Sequence, residues 1–139
     1  MRIFLLAAFI LLGITSASAD TLDHYHVYYR GHKIADYSEG RRIEITLKAD
    51  SITPFDSIRV KVFRDAPGGS GCTYSLLIFD SKAPLLVDTT QHSPDFVFAL
   101  APLVTSYRKT GTRVFNGYYT EFIPGVKTNR VISFAIKLE

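Results

Sequence analysis

The residues best suited to chemistry stand at every second position of one short segment: His24, His26, Tyr28 and Arg30. Alternate residues of an extended strand share a face. The four therefore line one side, while Tyr25, Val27 and Tyr29 turn the other way and are expected in the core. Flat rings and hydrogen-bonding tips in such a row suit a protein or glycan partner. Two imidazoles two residues apart on a strand could also share a transition-metal ion, zinc or copper, with Asp23 or His32 as a further ligand. The expected binding face is His24, His26, Tyr28 and Arg30, and a metal site on His24 and His26 is the alternative.

The chain has eight tyrosines and no tryptophan. Tyr25, Tyr28 and Tyr29 form one group and Tyr118 and Tyr119 another. On neighbouring strands the two groups would make an aromatic band. The favoured account is that most fill the core and the rest are ordinary strand residues, because aromatic residues favour strands.

Nucleophilic chemistry has one candidate. Cys72 follows Gly68-Gly69-Ser70-Gly71 and precedes an apolar run. A reactive thiol needs a base within hydrogen-bond reach, and His92 is the base to consider, although nothing in the spacing brings it close. The segment fails the Gly-x-Ser-x-Gly nucleophile elbow because its fifth residue is Cys72. Asp50, Asp56, Asp65, Asp80, Asp88 and Asp95 stand near the expected strand ends. Aspartates there usually bond the local backbone and make turns. None shows calcium-loop spacing, and no carboxylate pair stands out for glycoside hydrolysis. No catalytic residue is assigned, which leaves a small hydrolase as the third reading.

Period-two patterning runs through nearly the whole chain. Ile43, Ile45 and Leu47 alternate with Glu44 and Thr46, and Ile58, Val60 and Val62 alternate with Arg59 and Lys61. Ile132, Phe134, Ile136 and Leu138 alternate with Val131, Ser133, Ala135 and Lys137. Such alternation marks half-buried strands. Tyr74 to Phe79 is apolar on both faces apart from Ser75, as a central strand would be. Gly31-His32 is read as a hairpin turn. Thr53-Pro54-Phe55-Asp56 and Pro124-Gly125 separate further strands, and weaker strand signals lie near 84–88 and 95–100. Pro102 and Gly111 bracket a short helix over 102–109. Asn116-Gly117 is read as a bulge within one long strand from Thr112 to Phe122. The expected fold is an all-β antiparallel sandwich, immunoglobulin-like in outline, of about 7–9 strands.

The N-terminus gives an address. Met1-Arg2, the apolar run Ile3 to Leu12 and the small-x-small end Ala17-Ser18-Ala19 fit a cleaved signal peptide over 1–19, followed by a single domain over 20–139. The apolar run falls well short of the roughly twenty residues that cross a bilayer, so no transmembrane segment is expected in the mature chain. Without Arg2, the balance is 15 basic to 13 acidic residues. That is too mild, and too dispersed, for a nucleic-acid binder. Cys72 is the single cysteine, so no intramolecular disulfide can form, and packing alone must hold the domain. Export to the periplasm or the cell exterior, in a bacterium, is the expectation. The function expected is a non-enzymatic binding module without a cofactor.

Overall fold

The computed structural model describes residues 24–38, 43–63, 71–82, 85–127 and 130–139. The signal-peptide expectation, the candidate ligand Asp23 and the aspartate Asp65 lie outside them. Among the described residues, nine strands form two stacked sheets, and one α-helix accompanies them. The strands are β1 (His24–Tyr29), β2 (His32–Ser38), β3 (Ile43–Leu47), β4 (Ser57–Phe63), β5 (Thr73–Asp80), β6 (Leu85–Gln91), β7 (Phe96–Ala99), β8 (Val114–Phe122) and β9 (Arg130–Leu138). The helix α1 (Ala101–Thr110) joins β7 to β8. One sheet has the order β2-β1-β4-β7, the other β3-β9-β8-β5-β6. All pairings are antiparallel except β3 with β9. The fold is an all-β sandwich.

The inward sets are those the alternation marks. Tyr25 and Val27 of β1, Ile43, Ile45 and Leu47 of β3, and Phe134, Ile136 and Leu138 of β9 are buried. Each such side chain contributes about 1.5–3 kcal/mol by leaving water. Tyr119 joins the two layers. Its ring meets Tyr25 edge-on at 6.4 Å, Phe96 at 5.1 Å and Tyr74 at 5.9 Å. Geometries of this kind add about 0.5–1.5 kcal/mol per pair beyond burial.

That arrangement decides the fate of the aromatic band. β1 and β8 belong to different sheets, so Tyr25 and Tyr119 meet across the core while Tyr28 and Tyr118 lie on opposite outer faces. The two tyrosine groups form no common surface.

α1 spans one residue more at each end than the bracketing residues suggested. Pro102 sits in its first turn, where a missing N–H costs nothing. Gly111 closes it in the left-handed conformation (φ 72°), its N–H donating to the Tyr107 carbonyl at 2.8 Å. Leu103 and Val104 are buried beneath it.

The expected bulge at Asn116-Gly117 is not formed. β8 pairs in unbroken register with β5 on one side and β9 on the other. Gly117 lies opposite Phe134, and a Cβ on it would come within 2.1 Å of that ring. Gly117 makes room for the aromatic ring laid over it, so here the glycine serves packing rather than a turn.

Candidate functional site

The first hairpin carries the site. Its turn is Arg30-Gly31, one residue earlier than the sequence suggests, with both residues at positive φ (49° and 80°). Two successive residues at positive φ give a turn whose twist matches that of the strands. Arg30 is an unusual occupant of this conformation, which disfavours residues with a Cβ, and its side chain shows what holds it there. The guanidinium donates from Nε to Asp56 Oδ1 at 3.1 Å and from Nη2 to Asp56 Oδ2 at 2.7 Å, with a further bond to the Ser51 carbonyl at 2.6 Å. It also lies over the Tyr29 ring, 5.0 Å from the centroid.

Asp56 closes the β3–β4 connection. Besides Arg30, its carboxylate accepts the Tyr29 hydroxyl at 3.0 Å and the Thr53 N–H at 2.8 Å. Its own N–H donates to the Thr53 carbonyl and its carbonyl accepts the Leu100 N–H. The Arg30 guanidinium, then the Thr53 amide and the Tyr29 hydroxyl, hold the Asp56 carboxyl far below the usual carboxylate range. The Tyr29 hydroxyl is pushed upward, by burial first and by Asp56 second. The tip of this pinned turn is Phe55, 95% exposed. A large apolar ring held out into solvent on a fixed turn is the opposite of what burial of apolar surface favours.

Beside Phe55 lies a groove of about 450 Å³ on the outer face of the four-stranded sheet. Tyr28, Arg59, Lys61 and Val97 line it together with Arg30 and the Phe55-Asp56-Ser57 segment. Register explains the arrangement. Tyr28 lies opposite Arg59, and Arg59 opposite Val97, so β1, β4 and β7 each supply one residue to a single row. His26 and Lys61 make the next row, and His24 and Phe63 the one after.

The charges on this face divide into satisfied and unsatisfied. Arg30 is taken by Asp56. Lys33 bonds Asp36 at 3.1 Å, and His26 and His24 approach the same carboxylate at 3.2 and 3.9 Å. Lys33 first, then His26 and His24, hold Asp36 below its usual range against partial desolvation. Asp95, just before β7, accepts the Val62 N–H. Among the described residues no carboxylate pairs with Arg59 or Lys61. Lys61 instead holds its ammonium 5.7 Å from the centre of the Tyr28 ring.

The four residues singled out from the sequence are thus neighbours in space, with different roles. Tyr28 lines the groove. His24 and His26 lie along its flank, where His26 packs on Phe63 with ring centroids 4.4 Å apart. Arg30 faces the groove but is bonded to Asp56 and to the Ser51 carbonyl, so it acts as a structural strut rather than a free cation. Of the further metal ligands considered, His32 pairs in register with Tyr29, away from the histidine row. Asp36 on β2 stands nearer the two imidazoles. Among the described residues, no three His, Cys, Asp or Glu side chains gather in a geometry that could hold a metal ion.

Sequence reasoning missed Arg59, Lys61 and Phe55 as site residues. The alternation placed the two cations on the wet face of β4, but nothing local showed that β4 would pair with β1 rather than with β3. An aromatic residue inside the turn Thr53-Pro54-Phe55-Asp56 was the available signal for the third.

Other chemical candidates have structural roles. The Cys72 thiol is buried, and His92 does come close, but its Nδ1 lies 3.4 Å from the Cys72 carbonyl. Asp80 is buried at the end of β5 and accepts the Ser106 hydroxyl, the Lys82 N–H at 2.8 Å and the Thr110 hydroxyl at 3.4 Å. Burial alone would push its carboxyl up, yet these bonds together hold it below the usual range. The network fastens α1 to the sheet and contains no imidazole. On the five-stranded sheet, Tyr118, Phe122 and Val131 are exposed on the outer face. No described helix is long and apolar enough to cross a membrane. No protein-family model, curated protein or solved structure matches this chain.

Proposed function

We propose that the protein is an exported, non-enzymatic binding module whose ligand lies in the groove between Tyr28, Phe55, Arg59 and Lys61. The observation that carries this reading is Phe55. Keeping a phenyl ring in water forgoes about 1.5–3 kcal/mol that burial would return, and the hydrogen bonds around Asp56 hold it there. Aromatic and arginine side chains so presented are the groups that dominate binding surfaces. The groove volume falls within the usual range for small-ligand sites. The N-terminal signal-like segment supports release from the cytoplasm, and the lone cysteine is compatible with an oxidising compartment.

The strand order supports an immunoglobulin-like outline as well. β1-β4-β7 follows the A-B-E order of such domains, and β9-β8-β5-β6 follows G-F-C-C′.

A thermal-shift panel of neutral and acidic oligosaccharides and peptides tests the binding reading. A ligand that binds only the native state must raise the melting temperature. At least one probe should do so, and the shift should vanish in the Tyr28→Ser/Phe55→Ser double variant. No shift from any probe, or a shift the variant retains, contradicts the assignment.

A further inference from the structure

Resting on the assignment of this groove as the binding site, we infer that its ligand is an acidic oligosaccharide, held by Arg59 and Lys61 through carboxylate or sulfate groups and by Phe55 and Tyr28 through the faces of its rings. Charge complementarity comes first. The described acids on this face are bonded to other groups: Asp56 to Arg30, Asp36 to Lys33 and the histidines, and Asp95 to the Val62 N–H. Arg59 and Lys61 remain without a carboxylate among the described residues. They stand two positions apart on one face of β4, roughly 7 Å along the strand, a spacing that can receive two successive anionic groups or the two sides of one. A guanidinium matches a planar carboxylate or a sulfate in bidentate fashion.

The shape favours a sugar over an acidic peptide. About 450 Å³ accommodates a short oligosaccharide. The exposed Phe55 ring, Tyr28 and Val97, the last 53% exposed, give the groove flat or smooth apolar surfaces beside its charged groups. The Tyr28 and Ser57 hydroxyls add polar tips of the kind that pair with sugar hydroxyls. A peptide would gain most from a long open strand edge, whereas the edge strand next to β4, β7, has only four residues, and the longer edge, β2, is separated from Arg59 and Lys61 by β1.

The test is titration of the ¹⁵N-labelled protein, followed by amide shifts, with four probes of similar length. These are an oligouronate, a sulfated oligosaccharide, a neutral oligosaccharide and hexaglutamate. Binding by either acidic sugar is expected to perturb residues around 28, 55, 59 and 61. It should weaken as salt rises and fall at least tenfold in Arg59→Gln/Lys61→Gln. Both side chains reach solvent, so the melting temperature of that variant should match the wild type. Perturbation of the same residues by the neutral sugar or hexaglutamate, with none by the acidic sugars, overturns the ligand class and leaves the groove assignment standing. Failure of all four probes to perturb these residues overturns both.

Discussion

Arg30 and Asp56 are joined by two parallel hydrogen bonds, at 3.1 and 2.7 Å, across the gap between the β1–β2 turn and the β3–β4 turn. The pair does two things at once. It keeps a residue with a Cβ in the left-handed region at one end of the hairpin, and it fixes the turn that holds Phe55 out into solvent at the groove margin.

Arg30→Asn separates these effects. Asparagine is among the residues best suited to positive φ in such a turn, so local preference alone predicts a gain in stability. The pair predicts the reverse. The melting temperature should fall, and ligand binding should weaken although Phe55 is unchanged, because its turn loses the Arg30 bonds and is held less firmly. Calorimetric scans of wild type, Arg30→Asn and Arg30→Ala check the ordering, and a more stable Arg30→Asn would show that the pair contributes nothing.

Asp36, Asp56, Asp80 and Glu139 all have carboxyls held below the usual range. The unfolded chain, with carboxyl pKa values near 4, takes up protons there before the native state does. The stability these groups contribute is therefore fully present above about pH 4 and is lost as pH falls below it. Asp56 carries the largest share, so Asp56→Asn should be less stable at neutral pH and lose stability less steeply under acid. Urea titrations from pH 2 to 7 give both slopes.

Gly117 and Phe134 predict a packing defect that no turn argument would find. Gly117→Ala drives a methyl group into the Phe134 ring and should cost about 1–3 kcal/mol, the usual range for overpacking. Adding Phe134→Leu should recover part of that loss, since the two sites share one space. Additive losses in the double variant would refute the contact as the cause.

The Cys72 thiol should resist alkylation in the native protein and react at a rate set by unfolding, because burial keeps reagents out. His92→Ala should leave that rate unchanged, since the imidazole meets the Cys72 carbonyl rather than the sulfur. Fast labelling of the native protein, slowed by His92→Ala, would restore the pair as a chemical site.

The strands, their inward faces and the helix were legible because hydrophobic alternation and the Pro102 and Gly111 boundaries are local signals. Gly117 was misread because the reason for that glycine lies on another strand, at Phe134. The site was half legible for the same reason. His24, His26, Tyr28 and Arg30 share a face by simple alternation, and the sequence shows this. Their meeting with Arg59 and Lys61 depends on β4 skipping back past β2 and β3 to pair with β1, a long-range choice that no local pattern encodes. The role of Arg30 was hidden likewise, because Asp56 lies 26 residues further on.

The most direct test of the central claim is to place any ligand that stabilises the protein by amide chemical-shift mapping. Perturbations should gather at residues 28, 55, 59, 61 and 97, on the outer face of the four-stranded sheet, and should disappear in Phe55→Ser. Perturbations gathered instead around Phe79, Tyr118 and Val131, on the outer face of the five-stranded sheet, would show that the binding surface is on the opposite side of the sandwich.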